Sequence, residues 1–333
     1  MKTISVLLSA AISLALCSNA LAQSRFHELK FAPGNVHFGH YDATLKPVLR
    51  IKSGDTVRVE SGGLPPTGGL TEADIPQSWR DVERALTDRG PGAHHLTGPI
   101  YVEGAEPGDV LEVKFLKYEF AVPFGLVGLL PFGGLPQDFP YQSFRAMRFA
   151  KNAETAQFAP GVTLKLAPFY GSVGVAPPPF TGRVSSNPPG LHTGNLDNKE
   201  LVAGSTLYIP VHVPGALLSV GDAHGVQGDG EVSCCALETA LIGTMQVTVR
   251  KGKRLIWPRA ETPTHFITMG LNPDLDEAAQ IATREMVDYL VTERKLSRED
   301  AFILCSLAMD LRITQVVDGT KGVHAMIPKS IFK

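Results

Sequence analysis

The stretch Gly221-Asp222-Ala223-His224-Gly225-Val226-Gln227-Gly228-Asp229-Gly230-Glu231 sets two aspartates, a histidine, a glutamine and a glutamate among four glycines. Such a segment buries little apolar surface, and its glycines allow bends closed to other residues. A turn needs one capping aspartate, not three acid or base side chains with a glutamine, so the segment reads as a site. Asp222 and His224 stand two apart after the strand-like run 216–220. On a continuing strand they share a face, and an Asp/His pair at that spacing can bind one divalent ion. Glu231 follows a second Gly-rich bend and can fold back toward them. A carboxylate beside a metal-activated water is what hydrolysis of an unreactive bond requires, so Asp222, His224 and Glu231 are the expected catalytic group.

Further donors lie upstream: His192, Asn195 and Asp197 in one Gly-containing loop, then His37, His40, His94, His95, Glu103 and Glu106. His212 and His265 stand alone and read as hydrogen-bonded structural residues, whereas Asp55, Asp109 and Asp229 sit in Gly-Asp or Asp-Gly turns that explain them. No HExxH or paired CxxC pattern occurs. GxSxG, GxGxxG and the P-loop pattern are absent as well, and the one Ser-x-x-Lys match is Ser330 to Lys333 at the very end. Cys234 and Cys235 lead into the apolar run 232–242 and read as buried small hydrophobes, with a bridge to Cys305 unsupported by the sequence.

These side chains need a scaffold. Residues 1–22 carry Lys2, an apolar run from Ile4 to Leu16 and the small-x-small site Ala20-Leu21-Ala22, a cleavable secretion signal; Cys17 follows Leu16, which disfavours lipid attachment. The expected product begins at Gln23 and is secreted, in the periplasm, with no membrane association after cleavage. Without Lys2 it has 30 basic and 33 acidic side chains, a balance of −3, too small a field to argue for nucleic acid. Three segments, 53–60, 107–114 and 203–210, each place a Gly-polar turn before a half-buried strand, which predicts a sheet-rich body to about residue 271. Residues 75–86 are a possible helix, and 123–189 are so rich in Gly and Pro that ordered loops are expected there. In the helical part, 272–333, helical spacing after Asn272-Pro273 and a Ser297/Asp300 capping pair predict two amphipathic helices packed on the sheet.

The segments 95–109, 194–197, 204–208 and 221–231 resemble, in order and spacing, the acetamidase/formamidase family, and the likeness runs from about His37 to the C-terminus. The resemblance implies a mainly β fold with added α/β elements, a β-sandwich body, and hydrolysis of the C–N bond of small linear amides to acid and ammonia. It also implies Zn²⁺ as the divalent ion, with Ca²⁺ the alternative as a structural ion, and a homo-oligomer. Carried over by position, it points to Asp222, His224, Gln227, Asp229 and Glu231, with His95, Glu103, Asn195 and Asp197 behind them. The expected metal ligands are Asp222 and His224 with His192 or another upstream residue, and Glu231 is the expected proton carrier. Gln227, Asn195, Glu103 and His95 become substrate-binding residues. Two other readings stay open: a hydrolase of lactams, and a non-catalytic sandwich protein whose Gly-rich loop holds calcium, another ligand or a carbohydrate.

Overall fold

The computed structural model describes residues 24–333, so the expected signal segment lies outside the described residues. The three Gly-turn segments become the strands Thr56–Glu60, Val110–Phe120 and Thr206–Pro210. In the first, Val57 and Val59 alternate inward between half-buried neighbours, the period-2 pattern of a one-sided strand. All three lie in one nine-stranded sheet, in the order Phe26–Leu29, Thr56–Glu60, Leu241–Arg250, Val110–Phe120, Thr206–Pro210, Arg259–Glu261, His265–Asn272, Lys321–Pro328, Asp310–Gln315.

A second nine-stranded sheet is organised on the strand Leu218–His224. One edge of that strand pairs with Phe169–Gly174, and the other pairs first with His95–Glu103 and then with Glu238–Thr239. The sheets share one apolar core. It joins Val57, Val113 and Met245 of the first to Ile100, Tyr170 and Val220 of the second, so the body is a sandwich. The Gly/Pro-rich region does more than loop: it forms strands of six residues or fewer, among them Phe124–Leu129, Ser143–Arg148 and Phe169–Gly174. Its frequent turn residues limit strand length without preventing pairing.

Helix α1 (Gln77–Ala85) buries Trp79 and Val82 in a side cluster with Phe31 and Phe124. Helix α2 (Leu275–Arg294) is capped by Asp274, whose side chain accepts from the amides of Asp276 and Glu277; Pro273 precedes the cap and is not in the first turn. Helix α3 (Arg298–Ala308) starts at Ser297, whose hydroxyl accepts from the Asp300 amide at 3.0 Å. Both pack on the first sheet, with Ala278, Ala282, Met286 and Leu290 of α2 in a cluster with Val323 and Ala325. The chain does not finish on these helices. Asp310–Gln315 and Lys321–Pro328 return to the first sheet, and no helix among the described residues is long and apolar enough to cross a membrane.

Close packing of α2 depends on Gly270, where an added Cβ would lie 2.0 Å from the Ala278 carbonyl oxygen. Backbone cannot yield as a flexible side chain does, so Gly270→Ala is expected to destabilise the protein by about 1–3 kcal/mol or more. Urea unfolding followed by circular dichroism measures this, and an unchanged midpoint would disprove the packing argument.

Candidate metal centre

The sheet has a seam at the chemistry. Leu218, Val220 and Gly221 pair with the strand His95–Glu103, whereas Ala223 and His224 pair with Thr239 and Glu238. Asp222 falls at the change of partner, in a left-handed conformation with φ 51°. The gap between the two partner strands opens onto a cavity of about 210 Å³, lined by His94, Asn195, Asp222, Glu231, Glu238 and Asp318 among others. That volume is below the usual range for drug-sized ligands and suits a small molecule.

Register supplies the central contacts. His224 lies opposite Glu238, and its Nε2 is 3.3 Å from Glu238 Oε2 and 3.3 Å from Asp222 Oδ2. The other ring nitrogen is committed: Gln227 donates its amide to the Asp197 carbonyl at 2.6 Å, which turns Gln227 Oε1 toward His224 Nδ1 at 2.9 Å. Nδ1 therefore carries the proton and donates it, so in the neutral ring Nε2 keeps its lone pair and faces the same space as the Asp222 and Glu238 oxygens. A metal-binding histidine is commonly fixed in this way by a hydrogen bond at its far nitrogen. Phe169 packs edge-on against the same ring at 5.2 Å.

Two donor groups meet at His224: Asp222, His224 and Glu238, and Asp197, His224 and Glu231. The protein fits a cation here on two independent counts. Asp197 Oδ1 is buried without a hydrogen-bond partner. Gly171 forms a floor on which a Cβ would lie 2.5 Å from both Asp197 Oδ1 and Asp222 Oδ2, so absence of a side chain keeps these oxygens facing a shared space.

The proton affinities of these groups follow from the same crowding. Burial, then Glu231 and Asp222, push the Asp197 carboxyl well above the ordinary range, and burial with neighbouring acids does the same to Glu231. Burial chiefly moves Asp318 up to about 6. For Asp222 burial also favours the neutral acid, but His224 and His94 outweigh it and hold the carboxyl low. For His224 burial opposes the charged ring, yet Glu238 and Asp222 prevail and raise it.

The expected catalytic residues, Asp222, His224 and Glu231, are thus brought together, with Gln227 behind them. Asn195 reaches the cavity wall and donates to Asp197 at 2.8 Å and to Asp318 at 3.2 Å. His192 is not brought to the cluster. Left-handed backbone at Thr193 and Gly194 turns Asn195 toward the site, while the buried His192 ring folds over Gly194 and lies 4.9 Å from the Tyr41 ring. Glu238 replaces it as the third donor. Glu103 is exposed at the far end of its strand, eight residues from His95, or about 26 Å at strand rise. His95 does line the cavity, though its Nε2 is held by Glu83 of α1 and its ring packs on Phe38. Asp229 pairs with Lys199 at 3.0 Å, outside the cluster.

His94 faces the cluster more directly than His95. Its Nδ1 donates to the Ser186 carbonyl at 3.1 Å, leaving Nε2 toward Asp222 Oδ1 at 3.9 Å. Asp318 arrives from the first sheet, because the Gly-rich loop is pinned to the strand Asp310–Gln315 by Gly230 bonds to Thr314 and Val316. Cys234 and Cys235 are half-buried on the cavity wall, not core residues, and among the described residues they and Cys305 are free.

Fold and site define a two-sheet sandwich protein with a buried carboxylate–histidine cluster, a candidate centre for a divalent ion, at the seam of the second sheet. The chain belongs to the Acetamidase/Formamidase family, whose sequence profile matches residues 31–180 and 183–333. It is similar to the formamidase of Methylophilus methylotrophus, at 28% identity over 90% of each chain. It is likewise 28% identical to the acetamidase of Mycolicibacterium smegmatis, with 61% of this chain covering 63% of that protein. The crystal structure of an acetamidase from Bacillus halodurans superposes with a TM-score of 0.78 at 31% identity, over 92% of this chain and 98% of that one.

The raised carboxyls of Asp197, Glu231 and Asp318 take protons more readily folded than unfolded. Each therefore costs the metal-free protein stability as pH climbs above the ordinary carboxylate range, and the raised His224 adds to that loss. Asp222 acts oppositely, stabilising above its ordinary range and losing that effect in acid. A dication displaces these protons, so its thermal stabilisation should be larger at pH 8 than at pH 6, read as the shift in Tm on metal addition. Equal shifts at the two pH values would refute this account. Gly171→Ala should abolish the shift at both.

Proposed function

We propose that the protein hydrolyses the C–N bond of small linear amides to a carboxylic acid and ammonia, with Zn²⁺ as its ion. The observation that carries this is the pairing of a cavity of about 210 Å³ with a carboxylate–histidine donor set on its wall. Asp222 Oδ2, His224 Nε2 and Glu238 Oε2 would hold the ion, a mixed oxygen and nitrogen set that suits zinc. Once bound, the ion supplies Lewis-acid polarisation of the amide carbonyl and acidifies the attacking water.

The chain's own residues supply the rest. Glu231, buried in the cavity wall with a raised pKa, takes the water proton and returns it to the departing nitrogen, a transfer that a poor leaving group such as an amide requires. Gln227 holds His224 in the tautomer that presents Nε2. Asn195 positions Asp197 and Asp318 by donating to both. Cavity walls from Leu64, Pro65 and Ala93 limit what enters beside the acids.

Secretion to the periplasm through the segment 1–22 belongs to the same proposal, and so does self-association. Exposed Phe132, Leu135, Phe139 and Tyr141 on one loop support the latter. Light scattering should give a mass above that of one chain.

Two substitutions separate the roles. His224→Ala should lose the metal and all activity. Glu231→Gln should keep metal content near that of the parent while kcat for acetamide falls by about 10²–10⁴-fold, the usual worth of a general base. Ammonia release from formamide and acetamide, measured beside metal analysis, is the assay. Turnover surviving both exhaustive chelation and His224→Ala would overturn the metal role, and no turnover of any amide by metal-loaded protein would overturn the amidase.

A further inference from the structure

The catalytic cavity has a larger neighbour. Glu231 and Cys235 line both it and a groove of about 670 Å³ beyond them. The groove walls carry Val127, Phe144, Phe158, Leu164, Val226 and Leu237. These come from the strand pair Phe124–Leu129 and Ser143–Arg148, the hairpin Thr155–Ala159 with Val162–Lys165, the middle of the Gly-rich segment at Val226, and Leu237 in the run that follows it. Arg145 also lines the groove, its guanidinium lying over the Phe158 ring at 4.4 Å and donating to the Phe158 carbonyl at 2.9 Å.

The position of the groove says what it receives. Acids and imidazoles crowd the smaller cavity and leave room for little besides the amide and its attacking water. An acyl chain that passes the edge formed by Glu231 and Cys235 enters the groove, where apolar surface outweighs that of the polar residues Gln227 and Asp229. We propose that this groove is the acyl subsite of the same centre, and that it makes primary amides with an apolar acyl chain longer than acetyl the preferred substrates. The inference rests on the amidase reading and adds the substrate class to it. Each methylene taken from water into such a groove is worth about fourfold in kcat/KM at the usual transfer free energy.

The experiment measures kcat/KM of the metal-loaded full chain for acetamide, butanamide and hexanamide. It also compares inhibition of acetamide turnover by acetate and by hexanoate. A rise of about fourfold per methylene, with hexanoate binding correspondingly tighter than acetate, is the expected result. Phe158→Asp and Leu164→Asp lie outside the metal donors and should leave metal content and acetamide turnover within about twofold while removing the gain with chain length. Should either variant fail to fold, the acetate and hexanoate comparison on the parent protein decides alone. Turnover of acetamide with kcat/KM flat or falling toward hexanamide, and hexanoate no tighter than acetate, overturns the subsite and leaves the amidase intact. Absence of turnover on every amide overturns both.

Discussion

Five carboxylates, those of Asp197, Asp222, Glu231, Glu238 and Asp318, gather around the imidazole of His224 with His94 at their edge, and the rest of the structure accommodates that crowding. At an effective dielectric of about 20, two unit charges about 4 Å apart repel by roughly 4 kcal/mol, a large share of a typical domain's net stability. Such a group cannot stay fully ionised on its own. It must take up protons or a cation, and the raised carboxyls of Asp197 and Glu231 show the first outcome. The orphaned Asp197 oxygen and the bare floor at Gly171 show why the second is available in the same place.

Backbone strain accompanies the crowding. Asp197, Asp222, Glu231 and Asp318 all adopt left-handed backbone, at φ 50°, 51°, 43° and 58°. Residues with a Cβ occupy that region at a cost of about 1–3 kcal/mol, and they persist there only when their surroundings over-determine them. Here those surroundings are the sandwich core, which places Val220 and Ala223 on either side of Asp222 in one apolar cluster with the first sheet. The seam between partner strands is part of the same solution. A continuous partner along Leu218–His224 would cover Asp222, and the break exposes its carboxylate without unpairing the strand on its other edge.

What the sequence made legible was what depends on near neighbours. Asp222 and His224 are neighbours spaced two apart on one strand, and Glu231 returns because glycines bend the chain within a few residues. The strand starts at 56, 110 and 206 and the cap at Ser297 are equally local. Glu238 was hidden because it sits in an apolar run and gains its role from lying opposite His224 across a register that composition does not encode. Asp318 was hidden for a similar reason: it comes from the other sheet, in a Val-Asp-Gly turn that resembles any other. His192 misled because it is two residues from a helpful Gly-Asn-x-Asp loop. Whether it faces the site depends on the sign of φ at Thr193, which residue type did not reveal. The two final strands were missed since helical periodicity in α2 and α3 dominates the last sixty residues.

A consequence follows for how this centre can vary without losing its chemistry. The donor oxygens and Nε2 of His224 are fixed by backbone conformation, the Gln227 bond and the cross-strand register. The groove beyond Glu231 is walled on one side by short strands and a two-stranded hairpin, whose Val127, Phe144, Phe158 and Leu164 make no contribution to the donor set. Substitutions in those walls change volume and polarity at a distance from the strained residues, whereas changes at Gly171 or Gln227 strike the ion's surroundings directly. Specificity and catalysis are therefore separable in this fold. The boundary between the two spaces runs through Glu231 and Cys235, which line both, and of the two only Glu231 has a part in the proposed reaction.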